Sequence, residues 1–200
     1  MLGSENEESH KVRKVITQYN RKAYSDSSLK NKIDSLGESQ DTGRNLFQSA
    51  KDILKHRDGT RYEDLGFIFT DGRRTLINKS YDYYDSTTRT SACVPSRKMM
   101  KALKKAPEYS VIGIHNHPSS NSPSYADINV ALERKYKYGI IFAHDGTIYK
   151  YSILPNYDSF NAYFGLDNLS KALYNNGVGS TEFNTAIRQL ENVGVKVEVI

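Results

Sequence analysis

Apolar residues recur along this chain at two periods, and the changes of period mark the elements. Val12, Val15, Ile16 and Tyr19 fall at i, i+3, i+4 and i+7, which predicts a short amphipathic helix. Leu29, Ile33 and Leu36 predict a second helix after a Ser-rich break. Leu46, Phe47, Ala50, Ile53 and Leu54 form a clear helical stripe that ends near Asp58-Gly59. Leu65 to Phe69 is an apolar run of strand length, and Asp71-Gly72 is a hairpin signal leading into Thr75-Leu76-Ile77. Past a Tyr/Asp/Thr-rich stretch, Pro95 opens a helix whose Met99, Met100 and Leu103 face inward as core packing.

The second half continues the alternation. Val111 to Ile114 is apolar at every position, as a buried strand is. Ile128, Ala131, Leu132 and Tyr136 define a helix beginning near Asp127. Gly139 to Ala143, the Asp145-Gly146 turn and Thr147 to Ile153 form a closing hairpin, with His144 expected to be exposed beside the turn. Beyond Pro155, Phe160, Tyr163, Phe164 and Leu166 make an apolar patch. Phe183, Ala186, Ile187 and Leu190 predict a helix from Thr181, and Val195, Val197 and Val199 alternate with charged residues as a half-buried strand does. This order predicts an α/β fold, a mixed β-sheet flanked by helices. Three segments are expected: a polar, partly helical stretch or linker over 1–44, a central domain over 45–154, and an α/β extension over 155–200.

The candidate chemistry sits at the end of the second apolar run. His115-Asn116-His117-Pro118 places two imidazoles one residue apart, on the same face of an extended strand. Asp127 follows at the start of a helical pattern. Two imidazole nitrogens and one carboxylate suit Zn²⁺, with a fourth position left for water. Each fragment also has a structural reading. An H-x-H pair often stands exposed at a strand end, and Ser124-Tyr125-Ala126-Asp127 has the form of a helix capping box.

The string His115-Asn116-His117-Pro118, the Pro/Ser-rich loop and Ser124-x-x-Asp127 resemble the signature of the JAB/MPN (JAMM) metallopeptidase superfamily, especially its RadC-like branch. Tyr62-Glu63-Asp64-Leu65-Gly66-Phe67 resembles the entry to that family's first core strand. The resemblance spans about residues 45 to 154 and implies a cytidine-deaminase-like sandwich. It implies that His115, His117 and Asp127 hold Zn²⁺, that Glu63 is the general base, and that Ser124 helps stabilise the oxyanion. Asp64 neighbours Glu63, and Asp82 and Asp85 compete with Glu63 for the acid's role. His117 and Asp127 enclose nine residues, one fewer than the family spacing, which leaves Ser124 less secure than the ligands. The implied activity is hydrolysis of a peptide or isopeptide bond in a protein or peptide substrate, in a bacterial or phage setting. A binding or scaffold module that keeps the fold, and a nucleic-acid-associated role, are the alternatives.

Composition narrows the choice. The single cysteine, Cys93, rules out an intrachain disulfide and favours a cytosolic setting. No apolar run reaches membrane-spanning length, and the polar, acidic start is unlike a secretory signal, so no membrane partner is expected. The net charge of +5 raises the question of nucleic acid. Its basic residues are mostly scattered, and the three lysines between 101 and 105 read as the solvated face of a helix. Fifteen tyrosines include the Tyr81-Asp82-Tyr83-Tyr84 cluster, which is interleaved with acid and fits a protein-binding groove better than a base-stacking platform.

Overall fold

In a computed structural model, residues 18–72, 75–78, 83–85, 90–93, 95–118 and 120–200 are described. Along them run α1 (Asp26–Asp34), α2 (Gln40–Arg57), β1 (Leu65–Phe69), β2 (Thr75–Asn78), β3 (Tyr83–Asp85), β4 (Thr90–Ala92), α3 (Arg97–Leu103), β5 (Val111–His117), α4 (Tyr125–Glu133), β6 (Tyr138–Ala143), β7 (Ile148–Ile153), α5 (Ser159–Asn176), α6 (Thr181–Asn192) and β8 (Val195–Val199). Six strands form one sheet in the order β2-β1-β5-β6-β7-β8, and β3 and β4 pair separately. The β5–β6 pair is parallel and its neighbours are antiparallel, so the sheet is mixed, as predicted.

Each face of the sheet has its own core. Ile68, Ile112, Ile114, Ile140 and Phe142 pack against Leu29 and Ile33 of α1 and Leu46, Ile53 and Leu54 of α2. On the opposite face Phe67, Ile141, Tyr149, Val195 and Val197 meet α3, α4, α5 and α6. Five of the six described helices, all but α1, start where a short polar side chain satisfies a free amide. Ser39, Ser96, Ser124, Asp158 and Ser180 each accept a backbone N–H from the first turn.

Several expectations need adjusting. The helix α2 starts at Gln40, so the expected boundary at residue 44 falls inside it. Leu36 lies beyond α1. The predicted helix through Val12, Val15 and Ile16 lies outside the described residues, and Tyr19 is not helical. The helix near Asp127 ends at Glu133: Lys135 adopts a left-handed φ of 50°, which turns the chain back and takes Tyr136 off the helix. Leu132 is 43% exposed rather than inward-facing. The apolar patch after Pro155 belongs to an 18-residue helix, α5, on which Leu166 is buried while Phe160, Tyr163 and Phe164 stand exposed. The final strand, β8, joins the sheet edge beside β7.

Two glycines give the site's face its shape. Gly113 of β5 and Gly139 of β6 are direct neighbours across the parallel pair. A Cβ at Gly113 would run into the Tyr136 ring, and one at Gly139 into the Tyr151 ring. Both rings are buried, so the missing side chains form a trough that the two tyrosines fill. Gly139→Ala is therefore expected to lower stability by about 1–3 kcal/mol through overpacking, read from the urea unfolding midpoint. An unchanged midpoint would mean that the Tyr151 ring has room to move.

Candidate metal centre

Strand β5 is longer than its apolar run predicts and carries both histidines at its end, His117 being its last residue. The register aligns His115 with Leu65 of β1 and with Ile141 of β6, and His117 with Ala143 of β6. Val111, Gly113, His115 and His117 share the face covered by α3 to α6. Parallel strands need a crossover, and α4 supplies it between β5 and β6. Its first turn consequently lies at the end of β5 where the imidazoles are.

There three donors converge. His115 Nε2 stands 3.0 Å from His117 Nε2 and 3.2 Å from Asp127 Oδ1. His117 Nε2 lies 3.7 Å from Asp127 Oδ2. One ligand atom from each of the three residues falls within 4.8 Å of the others. The expected capping box is present as well: Ser124 Oγ accepts the Asp127 N–H, and the Ser124 N–H is bonded to the Asp127 carboxylate. Ser124 Oγ also donates to Asp127 Oδ2 at 2.6 Å. The two readings of that fragment describe one geometry, with Oδ2 held by Ser124 and Oδ1 presented to His115.

A backbone partner fixes one imidazole. His117 Nδ1 is 2.9 Å from the Asn121 carbonyl, which only accepts, so Nδ1 carries the hydrogen and Nε2 is the nitrogen turned to the other donors. Ser120, at φ 57°, turns the loop so that this carbonyl can reach back. The loop that is one residue short thus still brings His117, Ser124 and Asp127 together. Burial works to raise the Asp127 carboxyl, but the charge and hydrogen bond of His115, with His117 and Ser124, hold it well below the usual carboxylate range. The donors, two imidazoles and one ionised carboxylate, fit a divalent cation.

Glu63 enters from the segment before β1. Its Oε1 is 4.0 Å from His117 Nε2, at the edge of the three-donor cluster and within reach through one water. Its neighbour Asp64 is fully buried, and its carboxylate is taken by Arg57 at 2.5 Å and His56 at 2.7 Å. Asp82, the Asp85 side chain and the Tyr81–Tyr84 side chains lie outside the described residues. The nearby tyrosines are poor proton acceptors. Burial pushes Tyr136 up to about 12 and Tyr151 well above its ordinary value. Burial also raises the Cys93 thiol, against a nucleophilic role.

His144 corrects an expectation. It is fully buried rather than exposed, 3.1 Å from the Asn116 amide nitrogen, and it is no member of the donor cluster. Its polar turn gave no local signal of a partner 28 residues away. Among the described residues no helix is long and apolar enough to cross a membrane.

Fold and cluster together define an α/β protein with three side chains that could hold a metal cation at the end of a central strand. The RadC-like JAB domain family model matches residues 41–144, more than half the chain, and the protein belongs to that family. No curated protein and no solved structure matches the chain.

The cluster makes a direct prediction. Zinc titrated into the metal-free protein is expected to bind at about one ion per chain, and His117→Ala is expected to abolish that binding. Unchanged calorimetric binding in His117→Ala would remove the cluster as the metal site.

Proposed function

We propose that the protein is a zinc-dependent metallopeptidase or isopeptidase that hydrolyses a peptide or isopeptide bond in a protein or peptide substrate. The observation that carries this reading is Glu63 standing 4.0 Å from His117 at the edge of the His115, His117 and Asp127 cluster. Membership of the RadC-like JAB family supports it. Zinc in such a site lowers the pKa of water toward neutrality and polarises a carbonyl oxygen.

The chain's own groups would do the rest. Glu63 takes the proton from the attacking water and returns it to the leaving amine. Asp127, kept ionised by its neighbours, balances the cation's charge, and the Asn121 carbonyl keeps His117 Nε2 turned into the site. Ser124 faces the oxyanion only when its hydroxyl gives up the bond to Asp127 Oδ2. Until then it orients the ligand. The buried Tyr136 and Tyr151 rings fill the same sheet face at Gly113 and Gly139, beside the strand end that carries the histidines. Nucleic acid is the weaker partner: Lys101, Lys104 and Lys105 are exposed at the end of α3, as a solvated helix face requires.

Glu63→Gln is expected to keep zinc while lowering hydrolysis about 10²–10⁴-fold, measured on a panel of fluorogenic peptides and lysine-linked isopeptides. Retained turnover would remove the base assignment. A zinc-loaded wild type inert on the whole panel and on extracted host proteins would favour a scaffold module.

A further inference from the structure

Between the two histidines, Asn116 points to the opposite face of β5 and is fully buried. Its amide reaches across to the segment that carries Glu63. Asn116 Oδ1 accepts the Asp64 backbone N–H at 2.8 Å, and Asn116 Nδ2 donates to the Tyr62 carbonyl at 3.2 Å. The second Nδ2 hydrogen is directed at His144 Nε2, 3.1 Å away. A buried amide offers two donors and an acceptor, and all are engaged.

The position of these bonds gives them meaning. The β1–β5 ladder pairs Leu65 with His115. Continuing that register sets Asp64 opposite Asn116 and Glu63 opposite His117. The strand β1, however, starts only at Leu65. Where the ladder stops, one side-chain amide takes the backbone groups of residues 62 and 64, as a neighbouring peptide would. Alternation then leaves Glu63, between them, facing the imidazoles. The Asp64 side chain pulls the same way, anchored to Arg57 and His56 of α2.

We propose that Asn116 is a positioning residue that holds Glu63 against the metal centre by extending the β1–β5 pairing with its side chain. The inference rests on the proposed role of Glu63 and assigns the group that sets its place. Metal binding itself should not need Asn116, because its side chain faces away from all three ligands. The segment carrying Glu63 should.

The test uses Asn116→Leu, which keeps the branched outline and removes the amide, with Asn116→Ala as a second variant that relieves the crowding from the larger Leu methyls. In the metal-free protein, amide exchange at Asp64 is expected to rise about tenfold or more, with protection in β5 and β6 unchanged. No rise in either variant would overturn the clamp. In the cobalt-loaded protein, binding is expected to match wild type, while the visible spectrum and its pH dependence move toward those of Glu63→Gln. A purely structural loss would lower stability without that convergence. A wild-type spectrum and pH profile in both variants would overturn the positioning role. Failure of the wild type to bind cobalt would instead count against the metallohydrolase reading, and the exchange result tells the two failures apart.

Discussion

Strand β5 is bonded on both flanks, antiparallel to β1 and parallel to β6, and this fixes its register. A slip of one residue would carry every side chain to the other face, moving Ile112 and Ile114 out of the core beside α2. The apolar residues of β5 thus hold the histidines where they are. His115 and His117 must face α4, and Asn116 must face away. The parallel partner adds a second consequence, since the crossover helix has to begin near the end of β5. Asp127 reaches the imidazoles because the sheet leaves α4 no other place to start.

At that helix start, one carboxylate caps the helix and joins the three-donor cluster. A capping box satisfies amides that the first turn leaves open, and the residues it orders lose their freedom before any ligand arrives. Asp127 Oδ2 is held by the Ser124 amide and hydroxyl, which leaves Oδ1 aimed at His115. A ligand locked in this way meets a cation with little reorganisation. Capping engages Oδ2, and Oδ1 is the oxygen turned to His115, so the cap does not remove the carboxylate from the cluster.

What could be read from the sequence follows the range of the interactions involved. The strands Leu65–Phe69 and Tyr138–Ala143 and the helix Thr181–Asn192 were legible because period and caps are local. His115, His117 and Asp127 were legible for the same reason, lying within one short window. Glu63 was not, because its placement depends on a contact to residue 116, 52 positions from Asp64; only the family resemblance singled it out. His144 was misjudged because a polar turn looks exposed unless its distant partner is known. The end of α4 was misjudged because Tyr136 keeps helical spacing while Lys135 turns the chain. Residues 159–176 were read as a patch because exposed Phe160, Tyr163 and Phe164 mask the helical stripe of Ala162, Leu166, Leu169 and Leu173. The Asn121 carbonyl is backbone, and no residue type announces it.

Glu63 and Asp64 show how adjacent acids take different fates from one strand alternation. Asp64 points to the α2 face, where Arg57 matches its charge in a buried pair. Such pairs add little net stability, since desolvation offsets much of the attraction, yet breaking one strands a charge in the interior. The pair's value therefore lies in permitting few alternatives: any other path for residues 62–64 would bury Arg57 or Asp64 without its partner. Glu63 inherits that restriction without contributing to it. Its carboxylate faces the imidazoles across 4.0 Å and is partly open to solvent. One alternation thus sends Asp64 to a buried partner on the α2 face and Glu63 to the face that holds the imidazoles.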